Sequence, residues 1–150
     1  MSRKPAETGG FDQADFANLA SFRSALRRFL AFSEAATSAA GVGPLQYQAL
    51  LAIRAQPAGA LTIKALAEEL LLLPNSAVQL VNRLVRAGLV AREPSPLDRR
   101  SVLVHLTPKG QHLVEALATA HHAELIAQKP LLAESLARLR RLGGGRSRGG

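Results

Sequence analysis

The sequence lacks cysteine and tryptophan altogether, and its aromatic residues are limited to five phenylalanines and one tyrosine. Without cysteine, disulfides, thiol redox sensing and cysteine-based metal sites are excluded. The sequence also lacks any apolar run near the roughly 20 residues of a membrane span, and its first ten residues do not resemble the apolar segment of a signal peptide. We therefore expect a soluble cytoplasmic protein.

Motifs of common enzymes are absent as well. The sequence has no Gly-rich phosphate loop, no His-Glu-x-x-His and no Gly-x-Ser-x-Gly. Its four histidines show no metal-ligand spacing, and the adjacent pair would diverge around a helix; they are His105, His112, His121 and His122. We expect ordinary surface or interface histidines, and a protein without catalytic residues, metal or cofactor.

The positive charge of the chain is unevenly distributed. The formal net charge is +8, six basic residues stand against two acidic ones between Pro74 and Gly110, and residues 138–150 hold five arginines and no acid. This clustering favours a polyanionic partner, and nucleic acid before membrane, because no basic amphipathic helix with an exposed apolar face stands out. The alternative is a solvated basic surface with no partner.

Helical periodicity and capping residues predict four helices in the first part of the chain. The first has Asp12 as N-cap with Asp15 three residues later, and Phe11 and Phe16 as a hydrophobic staple. Pro44 suits the first turn of the second helix, and Thr62 caps the third. The fourth extends from Pro74 to a stop at Gly88, with an apolar stripe made of Ala77, Leu80, Val81 and Leu84. The last two helices have helix-turn-helix spacing.

Two short strands follow the fourth helix. The segments "LVARE" and "SVLVHL" alternate and are rich in β-branched residues, and the loop "PSPLDRR" between them contains prolines that favour a projecting loop over a tight turn. Thr107 and Pro108 then begin a fifth helix, and "PLLAESLARLRRL" predicts a sixth. The fold class is therefore mainly α with a small β-hairpin, in the order α-α-α-α-β-β-α-α.

Two segments carry a resemblance to a known family. "LAEELLLLPNSAVQLVNRLVRAGLV", Leu66 to Val90, and "DRRSVLVHLTPKG", Asp98 to Gly110, resemble the helix-turn-helix and the wing of the MarR family of bacterial transcriptional regulators. The resemblance implies a winged helix-turn-helix domain over residues 11–142, with a DNA-binding part at about 44–107 and dimerisation helices at about 11–40 and 107–142. It also implies a homodimeric, ligand-responsive repressor acting on a palindromic double-stranded DNA operator. Residues 1–10 and the basic tail 143–150 are expected to be disordered.

The sequence departs from the family pattern just before the fourth helix. Leu71, Leu72 and Leu73 stand where the family usually has Gly-Leu-Ser, so the usual serine cap is missing. Either Pro74 fixes the first helical residue, or Asn75 caps the helix instead. Farther along, the family's usual acidic residue is replaced by Asn82.

The outer face of the fourth helix supplies the expected base-reading residues. With the apolar stripe packed inward, the predicted DNA-contacting residues of this helix are Pro74, Asn75, Ser76, Val78, Gln79, Arg83 and Arg86. Carboxamides pair with adenine, an apolar side chain can touch a thymine methyl, and the two arginines suit phosphates. The alternative is an ordinary polar helix face.

The wing loop supplies the second group of expected DNA contacts, Asp98, Arg99 and Arg100. In an extended loop Asp98 and Arg100 fall on the same side, so the carboxylate can hold the guanidinium. By the resemblance, Arg100 is the minor-groove residue and Asp98 its positioning partner. The alternative is a surface ion pair, and for the whole protein it is a winged helix used only for protein–protein contact.

Apolar stripes near both ends predict further contacts. Leu132, Leu136 and Leu139 are expected in a homodimer interface. A small aromatic or phenolic effector is expected at Phe29, Phe32 and Tyr47, where Arg27 or Arg54 could meet a carboxylate. Such aromatic residues are more often plain core.

Overall fold

The computed structural model describes residues 11–141, which form two compact units. One unit contains residues 32–123, and the other contains residues 11–31 together with 124–141. The terminal segments expected to be disordered, residues 1–10 and 143–150, lie outside the described residues. Within the described part, no helix is long and apolar enough to span a membrane.

The described residues form five helices and three short strands. In chain order they are α1 Gln13–Ala39, α2 Pro44–Arg54, β1 Ala60–Thr62, α3 Ile63–Glu69, α4 Pro74–Arg86, β2 Val90–Pro94, β3 Val102–Leu106 and α5 Pro108–Arg141. The helix-turn-helix and the hairpin are confirmed, but the predicted order is wrong in two places.

The first error is the missing strand β1. The three residues of β1 are too few to show alternation, and their strand conformation depends on pairing with β3, more than forty positions later. The second error concerns the last two predicted helices, which are one continuous helix α5 with Pro130 inside it. A proline removes one backbone hydrogen bond, and the helix-forming residues on both sides continue the helix across it.

The sheet has the strand order β1-β3-β2, and both pairings are antiparallel. The central strand β3 places Val104 between Leu61 of β1 and Arg92 of β2, and the Val104 side chain is fully buried. The sheet therefore anchors the wing to the hydrophobic core of its own unit.

The core of the 32–123 unit is built from one face of each of its helices. Leu50, Ile53, Leu66 and Leu84 are all fully buried, and with the neighbouring aliphatic side chains they form one continuous cluster. Burying each such side chain contributes about 1.5–3 kcal/mol to folding. This cluster holds α4 and the wing strands in a fixed arrangement.

Local capping is as the sequence predicts. At the start of α1, the Asp12 and Asp15 carboxylates each accept a hydrogen bond from the other residue's backbone N–H, and the Phe11 and Phe16 rings lie 5.7 Å apart. The Thr62 hydroxyl accepts from the Ala65 N–H at 3.1 Å. These interactions are short-range in sequence, so they are readable without the tertiary structure.

Candidate nucleic-acid interface

The turn between α3 and α4 decides where α4 begins. Leu73 is the N-cap residue, it makes no side-chain cap hydrogen bond, and Pro74 occupies the first helical position. The proline interpretation is therefore confirmed over a cap by Asn75. The fixed φ of proline presets the helical conformation, and its missing N–H removes one donor that would otherwise need a partner.

The same turn holds an aliphatic residue in a left-handed conformation. Leu71 has φ +55°, and the Leu72 N–H donates to the Ala67 carbonyl at 2.8 Å, as in a Schellman motif. Glycine is the usual residue at such a position because it has no Cβ to crowd the backbone. Leu71 is also 93% exposed, so no packing of its side chain accounts for its presence.

The two faces of α4 are those predicted from the spacing. The apolar stripe that begins at Ala77 is buried, whereas Asn75, Ser76 and Gln79 are exposed and Val78 is 40% exposed. Both predicted phosphate contacts, Arg83 and Arg86, are exposed in the last turn. The structure thus leaves the predicted contacts of α4 available to a partner.

The end of α4 is tied to the wing and to α5. Gly88, with φ +72°, closes α4, and its carbonyl accepts a 2.6 Å hydrogen bond from the Thr107 hydroxyl. Lys109 Nζ donates to the Ala87 carbonyl at 2.9 Å. In addition, Arg92 of β2 donates to the Asn82 side-chain oxygen of α4. These bonds couple the position of α4 to that of the wing.

In the wing loop, Asp98 does not hold the Arg100 guanidinium as predicted. Its carboxylate accepts from the Arg100 backbone N–H at 2.9 Å and from the Ser101 hydroxyl at 3.3 Å, and among the described residues it makes no ion pair with a guanidinium. The segment is a turn, not an extended loop, because the Ser101 N–H also donates to the Asp98 carbonyl at 3.0 Å. Asp98 therefore shapes the turn through the backbone.

That turn leaves both wing arginines at the protein surface. Arg99 and Arg100 are exposed, and the loop that carries them is closed by a 3.0 Å hydrogen bond from the Ser95 N–H to the Ser101 carbonyl. Two guanidinium groups on a closed turn form a positively charged tip. The positive charge of such a tip suits the phosphates or the minor groove of a duplex.

Two of the predicted effector residues surround a histidine. The Tyr47 ring stacks on His121 with centroids 4.6 Å apart, and the Phe32 ring meets the same imidazole edge-on at 5.7 Å. His121 is buried, and its Nε2 lies 2.7 Å from the Ser33 hydroxyl. The expectation of a surface or interface histidine is therefore wrong for His121. Phe29 belongs to the other compact unit.

The Tyr47 side chain itself is buried, with 6% of its surface exposed. Because burial disfavours the phenolate, it raises the pKa of Tyr47 above its ordinary value of 10.0.

An apolar cavity of about 400 Å³ lies beside the end of α4. Its walls come from the α1–α2 connection, the end of α4 and the first turns of α5, and its two polar side chains are Lys109 and His112. A cavity of this size is within the range of small-molecule sites. No group of three metal-ligating side chains occurs within residues 11–141.

Helix-turn-helix, three-stranded sheet and projecting wing together define a winged helix-turn-helix protein. The MarR family model matches residues 40–101. A probable transcriptional regulator from Pseudomonas aeruginosa is 30% identical, with 81% of this chain and 90% of that chain covered at a TM-score of 0.61. The chain belongs to the MarR family.

Two further relatives are similar to this chain. A mutant of MarR from Escherichia coli, complexed with operator DNA, is 27% identical and superposes with a TM-score of 0.64 over 84% of this chain and 90% of that chain. A putative transcriptional regulatory protein for the hcr operon of Thauera aromatica is 37% identical over 67% of this chain and 58% of its own length. The match thus spans little more than half of the Thauera protein.

Sequence reasoning missed three features of this region. The Arg92–Asn82 hydrogen bond, the stacking of His121 on Tyr47 and the exposure of Leu73 all depend on which segments meet in space. No sequence pattern indicates that Arg92 of β2 would lie next to Asn82 of α4, because the two residues are on different elements. The sequence shows a run of three leucines before Pro74, but it does not show that Leu71 and Leu73 are exposed to solvent.

Proposed function

We propose that this protein is a sequence-specific, double-stranded DNA-binding transcriptional regulator. The observation that carries the proposal is that the outer face of α4 and the wing arginines are both exposed on the same compact unit. The Asn82–Arg92 hydrogen bond links α4 to the wing strand β2. In this arrangement α4 enters the major groove and the wing lies over the backbone beside it. The complex of the E. coli relative with operator DNA supports this function.

The proposed roles follow from side-chain chemistry. Asn75 and Gln79 read base edges, with Ser76 and Val78 beside them, because a carboxamide pairs in bidentate fashion with adenine. Arg83 and Arg86 contact phosphates, and Pro74 sets the start of the helix. In the wing, Arg99 and Arg100 contact the duplex, while Asp98 maintains the turn.

The test compares one base reader with one backbone contact. Gln79→Ala should cost about 1–3 kcal/mol at particular base pairs, whereas Arg100→Ala should weaken all duplexes and reduce the log–log salt slope by about one unit. Binding is measured by fluorescence anisotropy on duplexes selected from a random pool and on random duplexes. Failure to select any preferred duplex would favour the alternative of a protein–protein interaction module.

We also propose that the regulator is a homodimer acting as a repressor on a palindromic operator. Nine of the sixteen large apolar side chains exposed within residues 11–141 belong to the unit formed by residues 11–31 and 124–141. Leu136 is 53% exposed and lines a groove of about 630 Å³ with Leu139. Pairing would cover this surface and place two α4 helices on successive half-sites. Such a protein would act in the cytoplasm, at the nucleoid.

A small aromatic or phenolic effector is the last part of this proposal. Phe32 and Tyr47 offer aromatic walls, whereas the cavity beside α4 offers apolar walls with an ammonium group at Lys109. An effector in either place acts only through its different affinity for the DNA-bound and free conformations, and a tenfold loss of DNA affinity needs about 1.4 kcal/mol of coupling.

The two places are separated by variants. Aromatic acids and phenols are titrated into the preformed protein–DNA complex, and anisotropy is followed for the wild type, Tyr47→Ala and Ala116→Phe. Loss of the response in Tyr47→Ala alone supports the aromatic cluster, and its loss in Ala116→Phe alone supports the cavity beside α4. If no compound dissociates the complex at millimolar concentration, the effector proposal is abandoned.

A further inference from the structure

The outer line of α4 has an unusual composition for a DNA-reading helix. At 100° per residue, Asn75, Gln79, Asn82 and Arg86 lie along the line opposite the buried stripe. The first three are carboxamides, and no charged residue precedes Arg83 in the helix. Since arginine and lysine are the usual readers of guanine, the leading half of α4 carries groups that suit adenine and none of the usual guanine readers.

Aliphatic side chains accompany these carboxamides. Leu73, the N-cap residue, is 75% exposed. Val78, which is 40% exposed, directly precedes Gln79 in the helix and follows Asn75 by three residues. An N-cap is ordinarily Ser, Thr, Asp or Asn, because such a side chain satisfies a free backbone N–H. Leu73 gives up that hydrogen bond and exposes an apolar surface at the end of the helix that faces base edges.

We propose that Leu73 and Val78 contact the 5-methyl groups of thymines in the major groove, next to the adenines read by Asn75 and Gln79. This inference rests on the proposed function. Thymine is the base that presents an apolar group in the major groove, and aliphatic side chains match it. Each half-site should therefore contain a short run of A·T pairs facing the leading half of α4.

The surroundings of these side chains favour DNA over a protein as the occupant. Val78 lines an open groove of about 590 Å³ together with Leu71 and Pro74, and Lys64 and Glu68 of α3 contribute one charge of each sign to the same groove. The helix α4 itself ends in the exposed Arg83 and Arg86. A surface that combines an apolar patch with arginines and no acidic group on the same helix complements a polyanion that presents methyl groups.

The experiment removes the methyl groups one at a time. In the duplex selected from a random pool, each thymidine is replaced by deoxyuridine, which keeps base pairing and the hydrogen-bonding edge but lacks the methyl group. We expect about a four-fold loss of affinity at one or two positions per half-site, since burying one such group is worth about 0.8 kcal/mol. Leu73→Ala and Val78→Ala should each abolish the loss at one of these positions.

A control is Leu51→Ala, which truncates a leucine on α2 that is about as exposed as Val78 and should leave every deoxyuridine effect unchanged. Because Leu73 and Val78 are exposed, both alanine variants should fold, which circular dichroism melting checks. Equal affinity of the wild type for all thymidine and deoxyuridine duplexes overturns the inference while leaving sequence-specific binding intact. So does a methyl effect that persists in both alanine variants. If no duplex is preferred over random DNA, the proposed function itself fails, and this inference fails with it.

Discussion

Gly110 lies where the first turn of α5 passes against the backbone of Leu89. A Cβ at this position would be 2.0 Å from the Leu89 carbonyl oxygen, and the same oxygen accepts a 3.0 Å hydrogen bond from the Thr107 N–H. The atoms nearest to the added Cβ all belong to the Leu89 backbone, so the crowding cannot be relieved without moving the backbone. The glycine in the Thr-x-x-Gly segment is therefore required by close packing.

Gly110→Ala should lower the free energy of unfolding by about 1–3 kcal/mol or more, as overpacking does. The measurement is the urea midpoint followed by circular dichroism. Gly43→Ala is the control, because Gly43 has φ −79° and the nearest atom to an added Cβ is 4.0 Å away. It should cost less than about 1 kcal/mol, the usual effect at an N-cap. Equal midpoints for the two variants would contradict the packing argument.

Tyr47 is the only tyrosine of the chain, so its ionisation can be followed directly by the ultraviolet absorbance of tyrosinate. Burial raises its pKa in the folded protein above the ordinary 10.0, which the unfolded chain should show. Between these two values the folded state retains a proton that the unfolded state has lost. The stability that depends on this proton is complete below pH 10.0 and is lost as the pH rises through the folded pKa.

We expect the tyrosinate transition of the folded protein to lie above that of the urea-unfolded protein. We also expect Tyr47→Phe to remove the part of the fall in stability at alkaline pH that comes from ionisation of this hydroxyl. Coincident transitions in the folded and unfolded proteins would show that the Tyr47 hydroxyl is open to water.

At the scale of elements, the turn between α3 and α4 carries backbone strain that a glycine would relieve. A left-handed conformation costs a non-glycine residue about 1–2 kcal/mol, and glycine gives back about 0.5–1 kcal/mol because it is more flexible in the unfolded chain. Leu71→Gly should therefore raise the free energy of unfolding by up to about 1 kcal/mol. The measurement is the urea midpoint.

Leu71→Ala is the matched control for this prediction. It removes the same exposed side chain but keeps the φ of +55°, so its stability should stay within about 0.5 kcal/mol of the wild type. If Leu71→Ala stabilises the protein as much as Leu71→Gly, the exposed side chain and not the backbone conformation is the source of the cost.

Elements were predicted well where their signals are local. The start of α1 at the Asp12–Asp15 pair, the cap at Thr62 and the buried stripe of α4 all follow from interactions within a few residues. The strand β1 and the continuity of α5 across Pro130 were not predicted. The strand β1 forms because it pairs with the distant strand β3, which no local pattern shows. The helix α5 continues across Pro130 because one lost hydrogen bond is outweighed by the many that the helix retains.

At the scale of the whole molecule, the proposed homodimer gives the most direct prediction. Light scattering at micromolar concentration should give twice the chain mass of 15.9 kDa, about 32 kDa. Leu136→Glu should shift the protein toward the monomer, because it places a charge in an apolar interface without filling a core position.

Leu45→Glu is the control for the dimer prediction. Leu45 is 39% exposed on α2, outside the proposed interface, so this variant should remain dimeric. A monomeric wild type would contradict the proposal, and a dimeric Leu136→Glu variant would remove Leu136 from the interface.

The sequence by itself determined the helix-turn-helix, the wing and the faces of α4, because periodicity, caps and proline positions act over a few residues. It also indicated which residues could meet DNA, through the clustered arginines and the carboxamides of one helix face. Only the tertiary structure decided that His121 is buried against Tyr47 and that Arg92 donates a hydrogen bond to Asn82. Those contacts join groups whose partner is chosen by packing between segments, and a side chain's type does not specify its partner.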